Sequence, residues 1–151
     1  MVKAKTTTTK KMVTMNNTRT YSEAMQFQTF HDRFNYLRLG DKRHQDMSGY
    51  FRYLTQEFYR SKEWHRLRNH IILRDNGCDL ACEDFPVAGR VFIHHLKPLT
   101  QEDFLNRTIY LLDPEFMITC SKNTHELIHF GGELEKPYDF IERAPGDTAL
   151  W

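Results

Sequence analysis

The sequence predicts an α+β protein in which a helical N-terminal part precedes a short strand and a closing helix. Three observations support this class. Several stretches combine a capping residue with apolar residues at helical spacing, and the apolar run "VFIHH" (91–95) has the length of a strand. A last capped stretch, "SKNTHELIHFGG" (121–132), ends at a glycine. The 151 residues are enough for one domain with a modest core.

Five helices are predicted from stretches that begin with a residue able to cap the N-terminus of a helix. In "TFHDRFNYLRLG" Asp32 follows the capping threonine by three residues, and Gly40 is predicted to end the helix. "SKEWHRLRNHIILRDNG" is predicted to end at Asn76-Gly77, whereas 41–57 carries no clear signal and is not assigned. The remaining stretches are "TQEDF", "DPEFMI" with a proline at its first helical position, and 121–132. The predicted capping residues are Thr29, Ser61, Thr100, Asp113 and Ser121.

The two adjacent histidines lie at the end of the predicted strand. "GRVFIHHL" follows "GCDLACEDFPVA", which predicts a hairpin whose second strand ends at the histidines. Because side chains alternate along a strand, His94 and His95 are expected to point to opposite faces of the sheet. The two imidazoles therefore cannot share one role.

Composition excludes several classes of protein. The absence of a long apolar run argues against a transmembrane helix, and the N-terminus has no apolar segment of the secretory type. Three cysteines without a disulfide spacing favour a reducing compartment, so a cytoplasmic location is expected. Residues 1–20 are predicted to be a flexible basic arm and 133–151 an acidic tail.

The last predicted helix carries two histidines four residues apart. His125 and His129 therefore share a face, with Cβ atoms roughly 5–6 Å apart, which is close enough to bind one metal ion. The alternative is an exposed pair on a polar helix face. A third ligand would have to come from elsewhere, and the end of the "VFIHH" strand is the best candidate.

Together, "HHLKP", "DPEFMIT" and "NTHELIHFG", with "FYRSKEWHRLRNHIILRDNGC" upstream, resemble the HNH endonucleases, that is, the His-Me finger or ββα-metal superfamily, in its small phage-encoded type. The resemblance implies a nuclease core at 58–132, preceded by a helical extension at 21–57. It also implies a β-hairpin and a helix that clasp one divalent metal ion and hydrolyse DNA phosphodiester bonds.

The resemblance assigns roles to particular residues. His94, His125 and His129 correspond to the metal ligands. His95 corresponds to the general base, which is expected to face solvent and the scissile strand, with a backbone carbonyl bonded to its other ring nitrogen. Phe116 stands where the motif has an asparagine that pins the loop between strand and helix. Four basic residues are expected to contact phosphates without reading sequence: Arg60, Arg66, Arg68 and Lys97.

The implied cofactor is one divalent ion, Mg, Mn, Zn or Ni, and the implied partner is double-stranded DNA, cut with little sequence specificity. A phage-encoded relative would act in the host cytoplasm, with terminase or portal proteins as further candidate partners. A structural zinc is not expected. Cys78, Cys82 and Cys120 are not joined by a fourth cysteine, because Thr124 stands at that position.

Two other functions remain open at this point. "HELIH" (125–129) matches the HExxH pattern of zinc proteases, in which Glu126 would be the general base. Against it, Glu135 stands where a third histidine would be expected, no methionine follows for a Met-turn, and the histidines at 94 and 95 would have no role. The replacement at Phe116 also allows a catalytically weak DNA-binding accessory of the packaging machinery.

Overall fold

In this computed structural model, residues 18–38 and 49–134 are described. Most of the predicted basic arm (1–17), the acidic tail from 135 onward and the predicted stop at Gly40 lie outside these ranges. The helices of the first half are α1 Tyr21–Ala24, α2 Phe30–Leu37, α3 Gly49–Arg60 and α4 Lys62–Arg74. Of the stretch 41–57, which was left unassigned from sequence, residues 49–57 belong to α3 and residues 41–48 lie outside the described ranges.

The second half alternates short elements with two strands. In chain order these are a 3-10 helix Asp79–Ala81, β1 Phe92–His95, α5 Gln101–Leu105, α6 Ile109–Leu112, a 3-10 helix Pro114–Phe116, β2 Met117–Cys120 and α7 Lys122–Phe130. The predicted α+β class is confirmed. No helix within the described ranges is long and apolar enough to cross a bilayer.

The predicted helix starts are confirmed by their caps. The hydroxyls of Thr29, Ser61, Thr100 and Ser121 each accept a hydrogen bond from the backbone N–H three residues on. Asp113 caps only a single turn of 3-10 helix, and the chain then becomes β2. The prediction of a helix through "DPEFMI" is therefore wrong beyond Phe116, because Met117 and Ile118 make backbone bonds to a partner strand instead.

The predicted hairpin has a different partner strand. β1 pairs antiparallel with β2, which follows it in the chain, in the register Phe92↔Cys120 and His95↔Met117. The segment before β1 forms only an isolated bridge, Cys78↔Pro86. β1 is therefore the first strand of the pair, and the connection 96–116 between the strands contains α5 and α6.

The two faces of this small sheet are covered by different core clusters. One face presents Phe92 and Ile118 to a cluster that includes Phe34 and Leu37 of α2 and Ile128 of α7. The other face presents Ile93 and Met117 to a second cluster. That cluster is built by α3, α4, α5 and α6 through Phe58, Trp64, Phe104 and Leu111. Both faces of β1 are therefore covered by protein.

A buried ion pair fixes α4 to β2. The carboxylate of Asp75 pairs with Arg74 at 2.7 Å and accepts a hydrogen bond from the backbone N–H of Thr119 at 2.8 Å. The Arg74 guanidinium also donates to the carbonyls of Pro114 and Met117, both at 2.8 Å. Arg74 thus has a structural role at the end of α4.

Candidate metal centre

Three imidazole rings meet between β1 and α7. One ligand atom from each of His94, His125 and His129 lies within 4.8 Å of the others. The ring centroids are 5.3 Å apart for His94 and His125, 4.8 Å for His94 and His129, and 4.6 Å for His125 and His129. Within 18–38 and 49–134, no other group of three His, Cys, Asp or Glu side chains is close enough to hold a metal ion.

Local sequence rules explain why these rings converge. Strand alternation turns His94 toward the face that α7 covers, where it is 2% exposed. Ser121 follows β2 directly and caps α7 by accepting a hydrogen bond from the N–H of Thr124 at 3.1 Å. His125 and His129 then stand one helical turn apart on a single face of α7.

The donor set fits a divalent cation. Burial, together with the neighbouring His129 and His125, lowers the pKa of His94 well below its usual range, and burial also lowers the pKa of His125. Both rings are therefore neutral at neutral pH, as metal binding requires. Nε2 of His94 is buried and has no hydrogen-bond partner among the described residues. A cation bound at this nitrogen would supply the missing partner.

Only a small adjustment would bring the three nitrogens to coordination distances. Nitrogens bound to one zinc ion at about 2.1 Å in tetrahedral geometry lie about 3.4 Å from one another. The observed upper limit of 4.8 Å exceeds this separation by about 1.4 Å. Side-chain rotation of the two half-buried rings on α7 can supply a movement of that size.

His95 lies on the opposite face of the sheet. Its ring stacks on Trp64 of α4, with centroids 5.7 Å apart and ring planes within 20°. The backbone carbonyl of Leu111 lies beside the ring. Burial lowers the pKa of His95 to about 4, although the Leu111 carbonyl opposes the shift.

His95, which is expected to face solvent, is half-buried in the structure. Its Nε2 atom is buried and has no hydrogen-bond partner among the described residues. Trp64 and Leu111, which lie against the His95 ring, both belong to the second core cluster. Buried polar atoms are usually hydrogen-bonded, so this unpaired imidazole nitrogen is an exception that the secondary structure does not explain.

The four predicted phosphate contacts fall into two groups. Arg60, at the end of α3, and Arg66, on α4, are exposed. Arg68 is half-buried and donates from Nη2 to the carbonyl of Val91 at 2.9 Å, at the entry to β1. Lys97 Nζ lies 3.2 Å from both carboxylate oxygens of Asp103 and 3.9 Å from the centre of the Tyr110 ring.

Phe116 takes part in packing the connection between the strands. Its ring meets that of Tyr110 edge to face at a centroid distance of 4.9 Å. Its backbone carbonyl accepts a hydrogen bond from the N–H of Leu96 at 2.9 Å, just after β1. The backbone bond thus joins the two ends of the connection, and the aromatic pair packs its second half.

Sequence reasoning missed a buried acidic residue in this connection. Asp103 is buried, and its carboxylate accepts hydrogen bonds from Thr100, Thr108 and Lys97. The available signal was the spacing of Thr100 and Asp103, which form a capping box. That spacing revealed the helix but not the further bonds to Lys97 and Thr108, because those contacts depend on the fold.

The three cysteines are buried and are not paired in disulfides. Burial raises the pKa of Cys78 and of Cys120, which keeps these thiols protonated at neutral pH. Thr124, at the position where a fourth thiol would be needed, donates its hydroxyl hydrogen to Asp79 at 2.6 Å. The described contacts around these cysteines are packing and hydrogen bonds.

Comparisons with protein-family models, with curated proteins and with solved structures found no match. The function of the site therefore has to be argued from its own geometry and chemistry. The strongest features are the three converging imidazoles and the fourth imidazole next to them in the chain.

Proposed function

We propose that this protein is a metal-dependent endonuclease of the HNH type that hydrolyses DNA phosphodiester bonds. The observation that carries the proposal is the meeting of His94, His125 and His129 within 4.8 Å, on a strand and the helix that follows the two-stranded sheet. The resemblance of the sequence to this superfamily names the same three residues as ligands. The geometry and the resemblance therefore select the same set of side chains.

In this proposal the three imidazoles hold one divalent ion. When bound, such an ion would act as a Lewis acid that offsets the negative charge developing on the phosphate and on the leaving oxygen. His94 supplies the rigid part of the cradle, because it is 2% exposed and belongs to a strand. His125 and His129 supply the adjustable part from α7.

His95 is proposed as the general base. The ring stacks on Trp64, and Nε2 is left without a partner among the described residues. With a pKa of about 4 the ring is neutral at neutral pH but is a weak base, and general-base catalysis is most efficient at a pKa near the operating pH. The proposal therefore requires the pKa of His95 to rise toward its usual range when DNA binds. Because Nε2 is buried, the proposal requires the pocket to open to the substrate when DNA binds.

The proposed DNA contacts are electrostatic. Arg60 and Arg66 are exposed on α3 and α4, and Arg68 lies beside β1. Guanidinium groups bind phosphates bidentately and carry no base information in such contacts. Low sequence specificity is therefore part of the proposal. Lys97 contributes less directly, since it is bonded to Asp103.

A zinc protease is the second candidate, because three imidazoles suit zinc and Glu126 follows His125 in the HExxH pattern. The Glu126 side chain is 51% exposed and lies 3.6 Å from Lys122 Nζ on the same helix. This assignment leaves the Trp64-stacked His95 without a role. A weak DNA-binding accessory, acting with packaging proteins, differs from the nuclease only in lacking turnover.

Plasmid nicking across a panel of Mg, Mn, Ni and Zn ions separates the three functions. In the nuclease, His95→Ala lowers the nicking rate about 10²- to 10⁴-fold, the usual contribution of a general base, and leaves metal binding intact. His70→Ala, an exposed histidine on α4, is the matched control and should have no effect. Wild-type protein that nicks no plasmid with any ion refutes the proposal. Casein cleavage that is lost in Glu126→Gln would establish the protease.

A further inference from the structure

Asp79 is a buried carboxylate that lies between the loop 78–86 and the helix that carries two of the three imidazoles. Its Oδ2 atom accepts a hydrogen bond from the hydroxyl of Thr124 at 2.6 Å, a short distance that is typical of a hydroxyl bonded to a carboxylate. The two residues are 7% and 3% exposed. The other oxygen, Oδ1, is buried without a hydrogen-bond partner among the described residues. Burying a partly satisfied carboxylate destabilises a fold, so stability alone does not account for Asp79.

The loop that carries Asp79 is fixed to the rest of the protein. Two backbone bonds close it on itself: the N–H of Asp79 donates to the carbonyl of Phe85 at 2.7 Å, and the N–H of Cys82 donates to the carbonyl of Asp79 at 3.0 Å. Leu80 is fully buried and belongs to the first core cluster, together with Ile118 of β2. A bond from Asp79 therefore attaches its partner to a fixed point beside the sheet.

Thr124 lies in the first turn of α7 and directly precedes His125. Its N–H donates to the capping hydroxyl of Ser121 at 3.1 Å, which is the bond that capping requires. Its own hydroxyl does more, because it accepts a hydrogen bond from the Ser121 hydroxyl at 3.0 Å and donates to Asp79. The bond to Asp79 therefore attaches the helix to the loop at the position where the pair of imidazoles begins.

The imidazoles of the metal centre depend on this attachment in different degrees. His94 is placed by β1, which is fixed by its pairing with β2. The other two imidazoles are placed by the direction in which α7 leaves β2, with only Ser121 between strand and helix. Ile128 packs the later part of α7 into the first core cluster, and Asp79 holds the first turn. The attachment therefore acts on the separation of His125 and His94, whose ring centroids are 5.3 Å apart.

We propose that Asp79 is a positioning residue of the metal centre, which holds the first turn of α7 through Thr124 and thereby sets the distance of His125 from His94. The inference rests on the metal centre of the proposed function, but it does not require DNA cleavage. Ligand distances in metal sites vary by only about 0.2 Å, so a small displacement of the helix weakens binding. Groups that orient ligands without touching the metal are worth about 10- to 100-fold in metal affinity.

Three single variants and a matched control test this role in the full-length protein. Thr124→Val removes the hydroxyl and keeps the shape of the side chain, Thr124→Ser restores a hydroxyl, and Asp79→Ala removes the acceptor. The control is Thr108→Val, because the Thr108 hydroxyl also donates at 2.6 Å to a buried carboxylate, that of Asp103, in the connection between the strands. Thermal unfolding of the metal-free proteins defines a temperature at which they are folded, and the Thr124 variants suffice for the test if Asp79→Ala does not fold.

The measurement is the affinity for Zn²⁺ by isothermal titration calorimetry at that temperature. We expect Thr124→Val and Asp79→Ala to bind Zn²⁺ at least about 10-fold more weakly than the wild type. Thr124→Ser and Thr108→Val should stay close to the wild-type affinity. The double variant of Thr124→Val and Asp79→Ala should bind no more weakly than the weaker of the two single variants, because both changes remove the same bond.

The outcomes separate this inference from the proposed function. A wild-type affinity in Thr124→Val overturns the positioning role, whatever the nicking rates. An equal loss of affinity in Thr108→Val would show a general effect of lost hydrogen bonds and would also overturn it. A wild-type protein that binds Zn²⁺ but nicks no plasmid overturns the nuclease function alone, and the affinities then decide the positioning role. A wild-type protein that binds no Zn²⁺ overturns both.

Discussion

Binding of a divalent metal ion should stabilise the folded protein, and the size of the effect follows from the site. The three ligands belong to β1 and α7, which are far apart in the chain, so an unfolded chain does not hold them together. An ion present at about 100 times its dissociation constant adds about 3 kcal/mol to the free energy of unfolding. For a chain of this size that corresponds to a rise in Tm of about 5–10 °C.

The variant His125→Gln removes one ligand from the helix and leaves the buried His94 in place. If the affinity falls about 100-fold, the same metal concentration only equals the dissociation constant, and the stabilisation falls to about 0.4 kcal/mol. The expected rise in Tm is then about 1 °C, which differential scanning fluorimetry can distinguish from the wild-type shift. His70→Gln, on the exposed side of α4, should keep the full rise.

Two results would refute the reasoning about the metal centre. One is the absence of a rise in Tm with any of Mg, Mn, Ni or Zn at saturating concentration. The other is an equal rise in wild type and His125→Gln, which would place the bound ion elsewhere in the protein. A chelator should reverse the rise, because the stabilisation depends on free metal.

Three further predictions concern the packing around the site. Asp75→Asn leaves Arg74 without its buried partner and weakens the bond to Thr119, so urea unfolding should show a loss of about 3 kcal/mol; a loss below about 1 kcal/mol would contradict this role. Phe116→Ala removes the edge-to-face contact with Tyr110 and should cost about 2 kcal/mol in the same assay, whereas unchanged stability would show that the aromatic pair does not hold the connection. Burial alone would raise the pKa of Asp103, but its hydrogen bonds outweigh burial and lower the pKa to about 2. The carboxylate therefore contributes about 2 kcal/mol above about pH 4, and this contribution is lost as the pH falls through about 2. The difference in unfolding free energy between wild type and Asp103→Asn should shrink over that range, and a constant difference would contradict the assignment.

Local signals in the sequence predicted most of the helices. Each capped start depends on residues within four positions of one another, as at Ser61 and Ser121, and such contacts form wherever the chain is helical. The i, i+4 spacing of His125 and His129 is also a local property of a helix. These features could be predicted because no tertiary contact is needed to create them.

The pairing of the strands could not be predicted in the same way. β2 is a four-residue apolar run without periodicity, and its partner β1 lies across a connection that contains two helices. The nearer segment at 78–86 was a reasonable partner by sequence distance, yet it makes only one bridge. Short apolar runs choose their partners by tertiary packing, which single-sequence reasoning does not contain.

The surroundings of His95 were hidden for a related reason. The sequence predicted that His95 would lie on the face opposite His94, but not what would cover that face. Trp64 comes from α4 and Leu111 from the connection after β1, and only the folded chain brings both to the ring. His95 is therefore half-buried, on the face of the sheet that the sequence predicted.

The register of the two strands decides which face of the sheet each of the adjacent histidines lies on. Antiparallel pairing gives His94 and Ile118 one face and His95 and Met117 the other, and a shift of register by one residue would exchange them. Such a shift would move His94 away from α7 and remove a ligand from the proposed metal centre. The two core clusters oppose such a shift. Phe92 and Ile118, on the face of His94, pack into the first cluster, and Ile93 and Met117, on the face of His95, pack into the second. The helices on both sides of the sheet therefore maintain the separation of metal ligand and base on which the proposed chemistry depends.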